Sequence, residues 1–148
     1  MSDKYVAVAD GVALTAATPK TVLQIATPST IRARVCEVVV GFDGVTASDA
    51  PVLVELVRQT SAGTGTAVTP LPLDPAAPAS LPTALKNHSA EPSGPTVLRA
   101  WRVTPAGGLF VVPFIGDEQP VVGASGWLGV RCTAAVGVNA NAQLVYLA

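Results

Sequence analysis

The chain has 148 residues and a formal net charge of −1, with 49% apolar, 5% aromatic and 13% charged residues. That length suits one ordinary domain, which buries about 70% of the surface its unfolded chain exposes and needs neither disulfide nor metal to hold a core. The missing basic excess argues against a nucleic-acid partner, and no apolar run is long enough for a transmembrane helix.

No segment keeps a helical period. Short apolar runs are punctuated instead by Gly, Pro, Asp and Ser, and Val supplies much of the core material, so the pattern predicts an all-β sandwich or barrel over residues 1–148. The N-terminal segment, residues 1–20, opens "MSDKYVAVADG". It has no charged stretch leading into an apolar one, which argues against a secretion signal and for a cytoplasmic origin. Strands are expected at 5–9, 12–16, 21–26, 31–40, 52–59, 67–71, 97–103, 109–114, 127–135 and 143–147.

In "TIRARVCEVVV", Arg32 and Arg34 share one face, yet Glu37 falls on the face of Ala33 and Val35. That change of phase predicts a bulge, or a strand passing from one sheet to the other. "PVLVELVRQ" is apolar on both faces except at Glu55 and Arg58, which predicts a central strand or one facing a neighbouring subunit. Residues 60–69 read as a flexible connection. The stretch "TPLPLDPAAPASLPT", residues 69–83, holds five prolines and one charged residue, Asp74. Flexible linkers favour Gly, Ser or charge, whereas here Leu71 and Leu73 lie two apart and point to one side of an extended chain. An ordered arm within a Pro-rich connection over 69–96 is the expectation. "PAGG" at 105–108 reads as a hairpin turn, Pro113 as an edge or bulge position, and "AQLVYLA" as a buried last strand.

The search for chemistry yields little. His88, in the polar run "KNHSAEPSGP", reads as a solvated loop residue. "GASGW" at 123–127 lacks the spacing of a hydrolase elbow, and "SAGTGT" at 61–66 lacks the end of a phosphate loop. Asp43 and Asp49 read as turn formers, and Asp117 and Glu118 as a loop tip. Cys36 and Cys132 read as two buried, unpaired thiols. No catalytic residue, metal site or cofactor is expected. Trp101 and Trp127 suit core packing, with an interface or sugar-stacking role as the alternative.

The stretches "VVVGFDGVTASDAPVLVELVRQTSAGTGTAVTPLPLDP" and "LRAWRVTPAGGLFVVPF" resemble small virion proteins of tailed bacteriophages, in style the decoration or cement proteins of capsids. The resemblance is one of texture, running from about residue 20 to the end. It implies a jelly roll, a homotrimer, a major capsid protein as partner, no membrane, and assembly onto the capsid surface in a host cytoplasm. Low charge fits a role exercised through buried surface. The candidate interface residues are Tyr5, Val52, Val54, Leu56, Leu71, Leu73, Trp101 and Trp127. A receptor- or carbohydrate-binding sandwich of a tail or fibre is the alternative.

Overall fold

Strict alternation of apolar residues drives one side of each long strand into a shared interior. β1 (Lys4–Ala13) buries Tyr5, Ala7, Ala9 and Val12 and leaves Lys4, Val8 and Asp10 exposed. β12 (Asn139–Leu147) likewise buries Ala140, Ala142, Leu144 and Tyr146. The computed structural model describes residues 2–46 and 49–148 and is a β-sandwich of two six-stranded antiparallel sheets.

The first sheet, sheet A, runs β10 (Val121–Val122), β3 (Ala33–Asp43), β12, β1, β6 (Leu71–Pro72), with β9 (Phe110–Pro113) also on β3. The second, sheet B, runs β5 (Thr64–Val68), β7 (Thr83–Ala90), β2 (Lys20–Ala26), β11 (Trp127–Thr133), β4 (Val52–Gln59), β8 (Thr96–Val103). Antiparallel pairs nest along the chain: β1 with β12, β2 with β11, β3 with β9 and β4 with β8. Rolled into two facing sheets, that nested order is a jelly roll. One core cluster draws on both sheets, with Leu23, Leu56 and Val130 from sheet B meeting Val38, Leu144 and Tyr146 from sheet A.

The phase change in β3 is a bulge. Val145 pairs with Glu37 and Tyr146 with Val35, so Cys36 is an extra residue that returns Glu37 to the side of Arg34. The strand stays in sheet A rather than crossing. Residues 5–9 and 12–16, expected as separate strands, belong largely to one strand bulged between Ala9 and Val12. There Gly11 takes φ +67° and its N–H donates to Asn141 Oδ1 at 2.6 Å.

Three other expectations are corrected. "PAGG" is not a hairpin: a 3-10 turn at Pro105–Gly107 carries the chain from β8 in sheet B to β9 in sheet A. Residues 60–69 include β5, and the expected polar loop around His88 is β7. Their outward positions carry few apolar residues, so hydrophobic alternation does not mark them. Pro113 ends β9, which pairs with β3 alone, so its missing N–H interrupts no ladder.

The Pro-rich stretch is an ordered arm. β6 pairs with β1, and the Leu73 N–H donates to Lys4 O at 2.8 Å. Tyr5 Oη donates to Pro78 O at 3.1 Å, and Ser80 Oγ bonds Tyr146 Oη at 2.6 Å. The two tyrosine rings stack at 5.7 Å beneath it. Proline lowers the entropy lost in fixing such a segment.

Candidate functional site

The outer faces of the two sheets differ, and the difference starts from the segment between β4 and β8. The chain leaves β4, passes β11, β2 and β7 to reach β5, and later returns to β8. The outgoing leg, residues 60–63, and the returning leg, residues 91–95, lie side by side. Thr60 N–H donates to Ser93 O at 2.9 Å, and Ser93 N–H to Ser61 Oγ at 2.9 Å.

Backbone carbonyls laid across a sheet face need donors. Sheet B supplies them from buried polar side chains. Gln24 Nε2 donates to Ser61 O at 3.1 Å and to Gln59 Oε1 at 2.6 Å, while Gln59 Nε2 donates to Thr21 Oγ1 at 2.9 Å. Glu91 accepts from Thr21 N–H and, at 2.5 Å, from Thr21 Oγ1. His88 is 3% exposed, with Nδ1 3.2 Å from Thr21 O and Nε2 3.0 Å from Ala62 O. It is therefore a mooring residue and not a solvated loop residue. The Gln59 amide lies over Gly129, whose missing Cβ makes the room. Beside this network, Arg131 pairs with buried Glu55 at 3.0 Å. These groups hold the fold, and among the described residues the buried Gln24 Oε1 is left without a partner.

Among the described residues no such segment crosses the outer face of sheet A. Half-exposed antiparallel sheets normally put polar residues outward. Here the outward positions include Val6, Val8, Val39, Val111, Val145 and Leu147, arranged by cross-strand pairing: Val6 opposite Val145, Val39 opposite Val111. Leu71 of the arm lies opposite Val6 and extends the face. Leu109 and Ile115 border it and are 70% and 78% exposed. A groove of ≈ 520 Å³ lies along its Lys4 end, between Leu73, Cys36, Ile115 and Leu147. Charged groups gather toward the margins, with Lys4 and Arg34 at one end and Asp10 and Asp43 at the other, while Glu37 opposite Val145 and exposed Gln143, between Val8 and Val39, place two polar side chains within the face. This is the surface on the molecule best suited to a macromolecular contact.

Of the expected interface residues, Leu71 and Leu73 are 60% and 56% exposed on or beside this face. Tyr5 is core, stacked on Tyr146. Val52, Val54 and Leu56 are also core: the inward side of β4 packs in the sandwich, so these three cannot meet a neighbouring subunit. Trp101 is half-buried, its ring edge-on to Phe110 at 5.6 Å, and Trp127 is half-buried on the outer side of β11. Val8, Leu109, Val111 and Ile115 went unrecognised as surface residues. The signal was present in outward Val6 and Val8 of "KYVAVADG", where alternation places no polar partner for the core residues.

Reactive groups do not gather. Cys132 is buried on the core side of β11, where desolvation, reinforced by Glu55, pushes its thiol up to about 12. Cys36 is only partly buried, contrary to expectation; desolvation raises its thiol and nearby Lys4 partly offsets this. Both thiols are free. Among the described residues no three His, Cys, Asp or Glu side chains are grouped to hold a metal, and no helix is long and apolar enough to cross a membrane. No protein-family model, curated protein or solved structure matches the chain.

Proposed function

We propose that this chain is a structural virion protein, a decoration or cement protein that binds the outside of a phage capsid as a homotrimer and stabilises the shell. The observation that carries the reading is the apolar outer face of sheet A, uncovered by the chain's own insertion. A soluble protein that exposes such a face functions by burying it. The jelly roll and the arm support the same reading. The arm is moored to β1 and the core tyrosines, yet turns Leu71 and Leu73 outward, so a preformed edge is offered to the shell at little ordering cost.

Co-sedimentation of the purified protein with expanded capsids tests this. Saturable binding that raises the thermal stability of the shell is expected. Leu71→Ser with Leu73→Ser changes exposed side chains, so folding stability should stay within about 0.5 kcal/mol of the parent while capsid binding is lost. Unchanged binding by that variant removes the arm from the contact, and no binding by the parent protein removes the proposal.

A further inference from the structure

We infer that the β9 side of the sheet A face is covered by the β8 flank of a second copy, head to tail, so that copies close into a ring. The inference rests on the oligomeric reading above and specifies which surfaces meet.

Charge selects the occupant. Carboxylates predominate around the face: Asp10, Glu37 and Asp43 on its strands, and Asp117 and Glu118 in the turn after Ile115, against Lys4 and Arg34. A two-fold pairing of this face with itself would set that border against its own copy. The β8 flank has the opposite character. Its sequence "TVLRAWRV" holds Arg99 and Arg102, both exposed, and no acid, and exposed Arg58 lies next to it on β4. Exposed Val97 and half-buried Leu98 and Trp101 give it apolar substance. The only ion pair among the described residues joins Arg131 and Glu55, so among these residues the β8 arginines and the carboxylates of the face have no ionic partner.

β8 also pairs with β4 alone, leaving an eight-residue free edge, a feature that soluble proteins cover or block. The position of that edge explains closure. Trp101 packs on Phe110, and the Arg99 guanidinium lies 5.9 Å from the Phe114 ring, so β8 abuts β9, the border of the sheet A face. Two complementary surfaces on opposite sides stack into open filaments, whereas two that meet at a corner close a small ring. The arm border with Leu71 and Leu73 stays outside this junction, free for the shell.

Light scattering during size-exclusion chromatography tests the inference. The parent protein should elute at the mass of a closed ring, three chains in the trimeric reading. Leu109→Lys with Val111→Lys, on the face, and Arg99→Glu with Arg102→Glu, on the flank, should each reduce the mass to one chain. Each variant retains one intact surface, so an equimolar mixture should rise to two chains and no further. Circular dichroism and a parental melting temperature qualify each variant. Val8→Lys or Arg102→Ala replaces either one that fails. A flank variant that keeps the parental mass, a mixture that stays monomeric, or a parent that is monomeric at high micromolar concentration overturns the ring. A monomeric parent that still binds capsids overturns the ring alone; a ring that ignores capsids overturns only the decoration reading.

Discussion

Gly129→Ala is the smallest change that reaches the network holding the insertion onto sheet B. A Cβ at this position would lie 2.8 Å from Gln59 Oε1, 3.1 Å from Gln59 Nε2 and 3.1 Å from Thr21 Cγ2. Gln59 must therefore move. It accepts from Gln24 and donates to Thr21, and both contacts are buried. Each buried polar group left unpaired costs about 1–3 kcal/mol, and two are at stake. Replacing Gly within a strand returns about 0.5–1 kcal/mol through backbone entropy. The net expectation is a loss of about 1–5 kcal/mol, or about 3–16 °C in melting temperature for a domain of this size. Urea and thermal unfolding measure it. Gly123→Ala is the control, since a Cβ there meets nothing within 4 Å. A double-mutant cycle isolates the cause: in a Gln59→Ala background only the 3.1 Å contact with Thr21 Cγ2 remains, so the added Gly129→Ala should cost at least about 1 kcal/mol less than it does alone. A single Gly129→Ala as stable as the parent, or a fully additive double mutant, would refute the account of this face.

His88→Ala removes the ring that lies against Thr21 O and Ala62 O, and should cost about 1–3 kcal/mol, with faster amide exchange over residues 60–63. Native protein should release colour from one thiol per chain with a disulfide reagent, Cys36, reacting slowly because its thiol is held above the ordinary range. Cys132, buried and near 12, should react only after denaturation. The Tyr146 hydroxyl is raised from 10.0 to about 12, with desolvation leading and the Ser80 bond opposing. The folded state then holds the proton where the unfolded state has lost it, so stability should fall between pH 10 and 12; a denaturation series across that range checks the sign. Tyr146→Phe should flatten this limb and cost about 1 kcal/mol through the lost Ser80 bond.

The strands that line the core were legible because burial on one side leaves alternation in the sequence, as in "RARVCEVVV" and "AQLVYLA". The bulge at Cys36 showed as a change of phase, because Glu37 could not share the core with Val35, but a strand crossing between sheets would have left the same trace. What alternation does not encode is which sheet a strand joins. "PAGG" has the composition of a hairpin turn and instead changes sheets. β5 and β7 extend sheet B at its edge, where a strand can be stable with little apolar burial, so "TGTAV" and "TALKNHSA" looked like loops. Val52, Val54 and Leu56 were assigned outward because β4 is apolar on both sides. The deciding fact is that its inward side faces the other sheet, which only the tertiary pairing reveals.

The two outer faces pose one problem and solve it differently. Each sheet of a sandwich has a side turned from the core, and water, the same chain or another molecule must meet it. Sheet B meets its own insertion, and its outward residues match that cover: Gln24 and His88 reach the crossing carbonyls of Ser61 and Ala62, and Gln59 ties Gln24 to Thr21 beneath them. If water were the cover of sheet A, selection for solubility would favour polar residues at Val6, Val8, Val111 and Val145, positions where sandwich strands tolerate them without disturbing the core. If an unseen segment of backbone were the cover, buried donors like those of sheet B would be needed. Valines and leucines bounded by charge and broken only by Gln143 and Glu37 suit neither. They suit a cover that brings its own satisfied backbone and an apolar patch of its own, which is the surface of another folded subunit.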